Sequence, residues 1–183
     1  MKLIKLLIIS IGVLSMTVNA STLSQDEAQI RSNINSYAAL ADQAAFEYLG
    51  RLFAPEVSLD YTSLFGGEVQ QINREELMMQ WAGFLPGFDT TFHQISNHRV
   101  TVNDNSANAR VDFTASHWLG SDGFWQISGE YVFTLQRVQN NWEISSVQLI
   151  SKQETGSREV LAKAPEQANA KLIKRNQARV SFQ

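Results

Sequence analysis

Apolar positions along this chain follow two periods. From residue 24 to about residue 87 they recur every three or four residues in short runs, and from about 90 to 151 they recur every second residue. The first spacing belongs to helices with one buried stripe, the second to strands with one buried face. Ser24 with Glu27 three residues on forms a capping box, and Ile30, Ile34, Tyr37 and Ala41 then predict a first helix. Asp42 reads as the cap of a second helix, with Phe46, Leu49, Leu52 and Phe53 as its apolar stripe and Ala54-Pro55 as its stop. Val57, Leu59 and Tyr61 alternate as a short strand, and Gly66-Gly67 predicts a turn before Glu68–Ile72. Asn73 caps a third helix through Leu77, Met78, Trp81 and Phe84, ended by Pro86-Gly87.

Turns at Asn103-Asp104-Asn105, Ser121-Asp122-Gly123 and Asn140-Asn141 then divide four long strands, at about 90–102, 106–119, 124–138 and 141–151. On the second, Ala107, Ala109, Val111, Phe113, Ala115 and His117 share one face, while Asn108, Arg110, Asp112, Thr114 and Ser116 share the other. The third places Trp125, Ile127, Gly129, Tyr131, Phe133 and Leu135 inward. Strands with one apolar face make a sheet covered on one side, and three amphipathic helices are available to cover it. The predicted fold is α+β: a cone of three N-terminal helices packed on a curved, mostly antiparallel sheet, with an interior cavity.

Composition narrows the chemistry. The 183 residues include no Cys, which removes disulfides and thiolate chemistry. Lys2, Lys5, an apolar run from Leu6 to Val18 and the small-x-small triplet Val18-Asn19-Ala20 read as a secretory signal peptide over residues 1–20. The run is too short for a span of about 20 residues, so the expectation is a periplasmic or secreted protein with no stable membrane insertion after cleavage. Residues 21–151 carry six Arg, no Lys and fifteen acids, whereas residues 152–183 carry seven basic and three acidic side chains. The acidic balance argues against a nucleic-acid partner. A main domain over 21–152 is therefore followed by a basic tail over 153–183. Val160–Lys163 and Ala168–Lys174 look helical there, Pro165 breaks them, and loose attachment is expected.

Phe53-Ala54-Pro55, Leu59-Asp60-Tyr61, His93 followed by Ser96-Asn97, His117-Trp118 and Trp142-Glu143-Ile144 fall in a familiar order. They resemble the nuclear transport factor 2-like superfamily, in its SnoaL-like and scytalone dehydratase-like branch, over roughly residues 25–152. The resemblance implies that Asp42 and His93 form a dyad that takes a proton next to a carbonyl. It implies that His117 assists departure of hydroxyl, that Tyr61 helps polarise the carbonyl, and that no cofactor takes part. The sequence departs from that pattern at Ala41, where such enzymes have a second tyrosine, and at Gly129 and Tyr131, where they have a Ser and an Asn.

Read from the residues alone, His117 closes an apolar face and is either a satisfied core histidine or a pocket residue. Asp42 is equally a plain helix cap. His93 begins a strand with Ile95 and Asn97 on its side, and His98 faces away as a surface residue. Phe46, Trp81, Phe113, Trp118 and Tyr131 are the candidate substrate contacts. His93, His117 and Asp42 are also a possible metal set, but their spacing lacks a metal motif and none is expected. Two functions stay open: a cofactor-independent lyase or isomerase acting on a small apolar carbonyl or hydroxylated compound, and a non-catalytic small-ligand binding module. Trp118, Phe124, Val132 and Thr134 on the outer sheet face predict a homodimer.

Overall fold

The computed structural model describes residues 24–180 except Asp122, with side chains as far as 173; residues 1–20, where a signal peptide is expected, lie outside them. Helix α1 (Gln25–Asp42) leads to α2 (Phe46–Gly50), β1 (Phe53–Asp60), α3 (Thr62–Phe65), β2 (Gln70–Asn73) and α4 (Arg74–Ala82). A 3-10 turn (Leu85–Gly87) then precedes β3 (Thr90–Asn103), β4 (Ser106–Leu119), β5 (Gly123–Val138), β6 (Asn141–Gly156) and α5 (Glu159–Val180). The six strands form one sheet in the order β2-β1-β6-β5-β4-β3. Only β1 and β6 run parallel; the other pairs are antiparallel.

The predicted inward faces are the buried ones. Ala107, Ala109, Val111, Phe113, Ala115 and His117 on β4 are buried, with Trp125, Ile127, Tyr131, Phe133 and Leu135 on β5 beside them. Ile30, Ile34, Tyr37 and Ala41 bury the inner stripe of α1. Ser24 and Asn73 cap α1 and α4 through Glu27 N–H and Glu76 N–H, as their sequence positions foretell. Curvature enters at register shifts between Ser128 and Gly129 and between Thr134 and Leu135. At the first of these a Cβ on residue 129 would collide with the Ile150 carbonyl, so the inward position takes glycine.

Several expectations need correction. The second helix ends at Gly50, and Phe53 belongs to β1. Pro55 does not stop a helix. It lies in β1 where the pairing with β6 shifts register between Phe53 and Ser58, so no ladder bond is asked of its missing N–H. Asp42 is the last residue of α1; α2 is preceded by Ala45, without a side-chain cap. The one-turn α3 was not foreseen.

On β3 a bulge between Ser96 and Arg99, with Asn97 at φ +52, moves the alternation by one residue. His98 thereby turns inward beside α1, where its Nε2 is buried without a partner. Asn97 turns outward to Asp112, Nδ2 to Oδ2 2.7 Å.

The tail is docked as well. Pro165 omits one helical bond without ending α5, because Val160, Ala164 and Ala168 are buried against the body of the domain. Residue 87 packs so closely under α5 that a Cβ there would run into the Ala164 carbonyl. Lys171 Nζ donates to the carbonyls of Gly87 (3.1 Å) and Phe88 (2.7 Å).

Candidate active site

Between α1, α3, α4 and the concave face of the sheet lies a cavity of about 370 Å³, small among ligand sites. Its wall is aromatic and aliphatic, and its polar groups are two histidines, three phenols and the amides of Gln70 and Gln80. No Lys, Arg, Asp or Glu side chain faces it directly among the described residues.

His93 reaches this wall from β3, and Asp42 stands behind it at the end of α1. His93 Nδ1 lies 2.6 Å from Asp42 Oδ1, the His93 backbone N–H donates to Oδ2 at 2.8 Å, and Thr91 Oγ1 donates to Oδ1 at 2.8 Å. Burial raises the carboxyl pKa, but the His93 ring, the His93 backbone N–H and Thr91 outweigh it, so Asp42 sits below the usual carboxylate range. An ionised Asp42 accepts a hydrogen bond from Nδ1–H and leaves Nε2 as the ring nitrogen not engaged by the carboxylate.

His117 is 4% exposed, and its Nδ1 has no hydrogen-bond partner. Its ring meets that of His93 edge-on at 5.6 Å and tilts against Trp125 at 5.0 Å. Burial, reinforced by the neighbouring His93, lowers its pKa to about 4 against the opposing pull of the Trp125 backbone and Asp42. His117 is a neutral imidazole at pH 7.

Tyr61, just after β1, places its hydroxyl 3.1 Å from that of Tyr37 on α1. By its spacing Tyr37 belongs to the core stripe of α1, and the family pattern lacks its second phenol at Ala41. Tyr37 lies one helical turn before Ala41 on the same face, so the i, i+4 relation was the available signal. The Tyr37 ring is fixed edge-on by Phe53, Trp81, Tyr131 and Phe133 at 5.4–6.2 Å. Burial pushes the phenol pKa up for all three tyrosines, most strongly for Tyr37 and Tyr131, so they remain hydrogen-bond donors.

Of the candidate substrate contacts, Trp81 and Tyr131 line the cavity. Phe113 stands behind Tyr131, stacked on it at 3.9 Å. Phe46 faces a different groove, between α2 and α4, because α2 turns that side away from the sheet. Trp118, 38% exposed, points off the outer sheet face beside Phe124, as alternation from His117 requires. Trp125, whose inward position on β5 allows it to serve both core and cavity, does both: it is buried and lines the cavity. Among the described residues no three His, Cys, Asp or Glu side chains converge as metal ligands.

A family model described as a SnoaL-like domain matches residues 22–148. An uncharacterized protein of Mycobacterium tuberculosis is 30% identical over 87 residues, 47% of this chain and 56% of its own length, so the match spans about half of that relative. Among solved structures, the Kfla4162 protein of Kribbella flavida superposes with a TM-score of 0.67 at 26% identity, covering 79% of this chain and 97% of its own. A protein from Novosphingobium aromaticivorans provisionally named a scytalone dehydratase gives 0.62 at 21% identity, covering 71% and 86%. A hexachlorocyclohexane dehydrochlorinase from Novosphingobium barchaimii gives 0.61 at 15% identity, covering 71% and 88%. The last two likenesses are of fold alone.

Proposed function

This chain belongs to the SnoaL-like domain family, and we propose that it is a cofactor-independent lyase or isomerase of small, neutral carbonyl or hydroxylated compounds. The observation that carries the reading is the Asp42-backed His93 in the wall of a mostly apolar cavity. His93 Nε2 takes a proton from carbon next to a carbonyl; the C–H electron pair becomes the carbon–carbon double bond of an enolate as the carbonyl π pair moves onto oxygen. Asp42 stabilises the resulting imidazolium. The Tyr37–Tyr61 pair has one O–H left over from their mutual bond, and it donates to the carbonyl oxygen as charge develops there. The imidazolium then returns its proton, either to another carbon, giving an isomer, or to a departing hydroxyl, giving water and an unsaturated product. Fold neighbours named for dehydration and dehydrochlorination support proton removal as the opening step.

A non-catalytic binding module is the second reading. The low pKa of His117 favours it, since no imidazolium stands there at neutral pH to protonate a leaving group. Deuterium wash-in separates the two. Cyclic ketones and hydroxyketones incubated with the protein in D2O gain label at the carbon beside the carbonyl if His93 is a base. His93→Ala abolishes that label while ligand-induced thermal shift persists; binding without wash-in for any ligand supports the module.

The proposal includes export and dimerisation. A mature N-terminus at Ser21, found by sequencing the protein from a periplasmic or culture fraction, checks the first. Light scattering that reports a dimer, lost in Trp118→Lys, checks the second.

A further inference from the structure

The basic segment after residue 152 takes no part in the cavity chemistry, yet its beginning reaches the cavity entrance. Arg158 stands just ahead of α5. Its guanidinium pairs with Glu154, Nε to Oε2 2.6 Å, donates to the Leu64 carbonyl at 3.1 Å, and lies over the Phe65 ring at 6.0 Å. Glu154 Oε2 also accepts the indole N–H of Trp125 at 2.9 Å. Leu64, Phe65 and Trp125 all line the cavity. One side chain thus ties α3 to the wall that supports His117.

Helix α3 is fastened unequally at its two ends. Its start is held by Asp60, which accepts from Thr62 N–H at 3.1 Å, and by Ser63, whose hydroxyl donates to the Leu149 carbonyl at 2.5 Å and accepts from Ser151 N–H at 3.0 Å. Its end carries Phe65, which lines the cavity while 57% exposed and so stands at the mouth. Gly66 and Gly67 follow at φ +72 and +80, with no atom within 4 Å of either Cβ position, and nothing there obstructs rotation. Carbonyls at the end of so short a helix lack intrahelical partners, and a cation satisfies them well. Leu64 is buried there, and Arg158 is the polar tie on that end.

We infer that α3 is the door of the cavity and that Arg158 is the positioning residue that latches it. The inference rests on the preceding section only in taking the cavity to admit a small neutral ligand; no proton transfer enters it.

Hydrogen exchange on the full-length protein tests the latch without any ligand. In Arg158→Ala, amides of residues 61–68 exchange about tenfold faster at unchanged melting temperature, and Arg158→Lys restores most of the protection. A neutral fluorescent probe, N-phenyl-1-naphthylamine, tests the door by stopped flow. Its association and dissociation rates both rise about three- to tenfold in Arg158→Ala while Kd stays nearly constant, because a door changes barriers rather than contacts. Glu154→Gln, which weakens the hold on Arg158, gives intermediate values and serves if Arg158→Ala proves unstable. Unchanged exchange at 61–68, or a changed Kd with unchanged association rate, overturns the inference. A probe that binds neither protein while exchange responds overturns the ligand-binding reading and leaves the latch standing.

Discussion

Asp42 holds His93 at two points: one carboxylate oxygen lies 2.6 Å from the ring Nδ1, and the other accepts the residue's own backbone N–H at 2.8 Å. The end of α1 therefore fixes both the position of β3 and the orientation of the imidazole it carries. A side chain that merely capped a helix would do neither.

Asp42→Asn is expected to cut turnover in line with His93→Ala, by about 10²–10⁴-fold, because an amide does not stabilise an imidazolium as a carboxylate does. It also weakens the tie between α1 and β3, at a cost of about 1–3 kcal/mol. Steady-state kinetics on a substrate found by deuterium wash-in, with a denaturant melt beside them, measure both. Full activity in Asp42→Asn would falsify the dyad.

Acid sensitivity follows from His117. With its pKa lowered to about 4 in the folded state, the ring stays neutral where the unfolded chain, near about 6.5, binds a proton. Stability from this residue is complete above about pH 6.5 and is lost progressively as pH falls toward 4, by about 3 kcal/mol in all. Asp42, whose pKa is also lowered, adds a further loss only below its ordinary carboxyl range, as the folded carboxylate is finally protonated. Melts between pH 7 and 4 should slope downward in the wild type and less steeply in His117→Gln, where the residual slope comes from His98, whose pKa burial also lowers.

Tyr37→Phe keeps the ring packing and removes the hydroxyl bonded to Tyr61. The expected stability loss is about 1 kcal/mol, and the expected loss in kcat is about tenfold to several hundredfold with KM little changed. A fall confined to KM would place Tyr37 in ground-state binding instead.

Gly87→Ala tests the docking of α5. The added methyl meets the Ala164 carbonyl, so the helix has to lift from the 3-10 turn at a cost of about 1–3 kcal/mol. Earlier proteolytic cleavage near residue 157 and a lowered melting temperature are the readouts. Unchanged values would return the tail to the loose attachment that its composition suggested.

The sequence by itself determined what depends on local period and local chemistry. Alternation from Ala107 to His117 and from Trp125 to Leu135 named the inward face, and Ser24 and Asn73 named two helix starts, because a strand's period and a cap's geometry involve only near neighbours. Tertiary structure decided the rest. Whether Asp42 caps a helix or holds a histidine depends on Thr91 and His93 on β3, 49 and 51 residues on. His98 faces inward because one bulge at Asn97 moves every later side chain to the opposite face, and a non-glycine residue at φ +52 leaves little trace in composition. Tyr37 meets Tyr61 only when α1 lies across the end of β1. Pro165 stays within a helix because burial of Val160, Ala164 and Ala168 outweighs one missing hydrogen bond. In each case the deciding contact joins segments far apart in the chain, and no periodicity within either segment contains it.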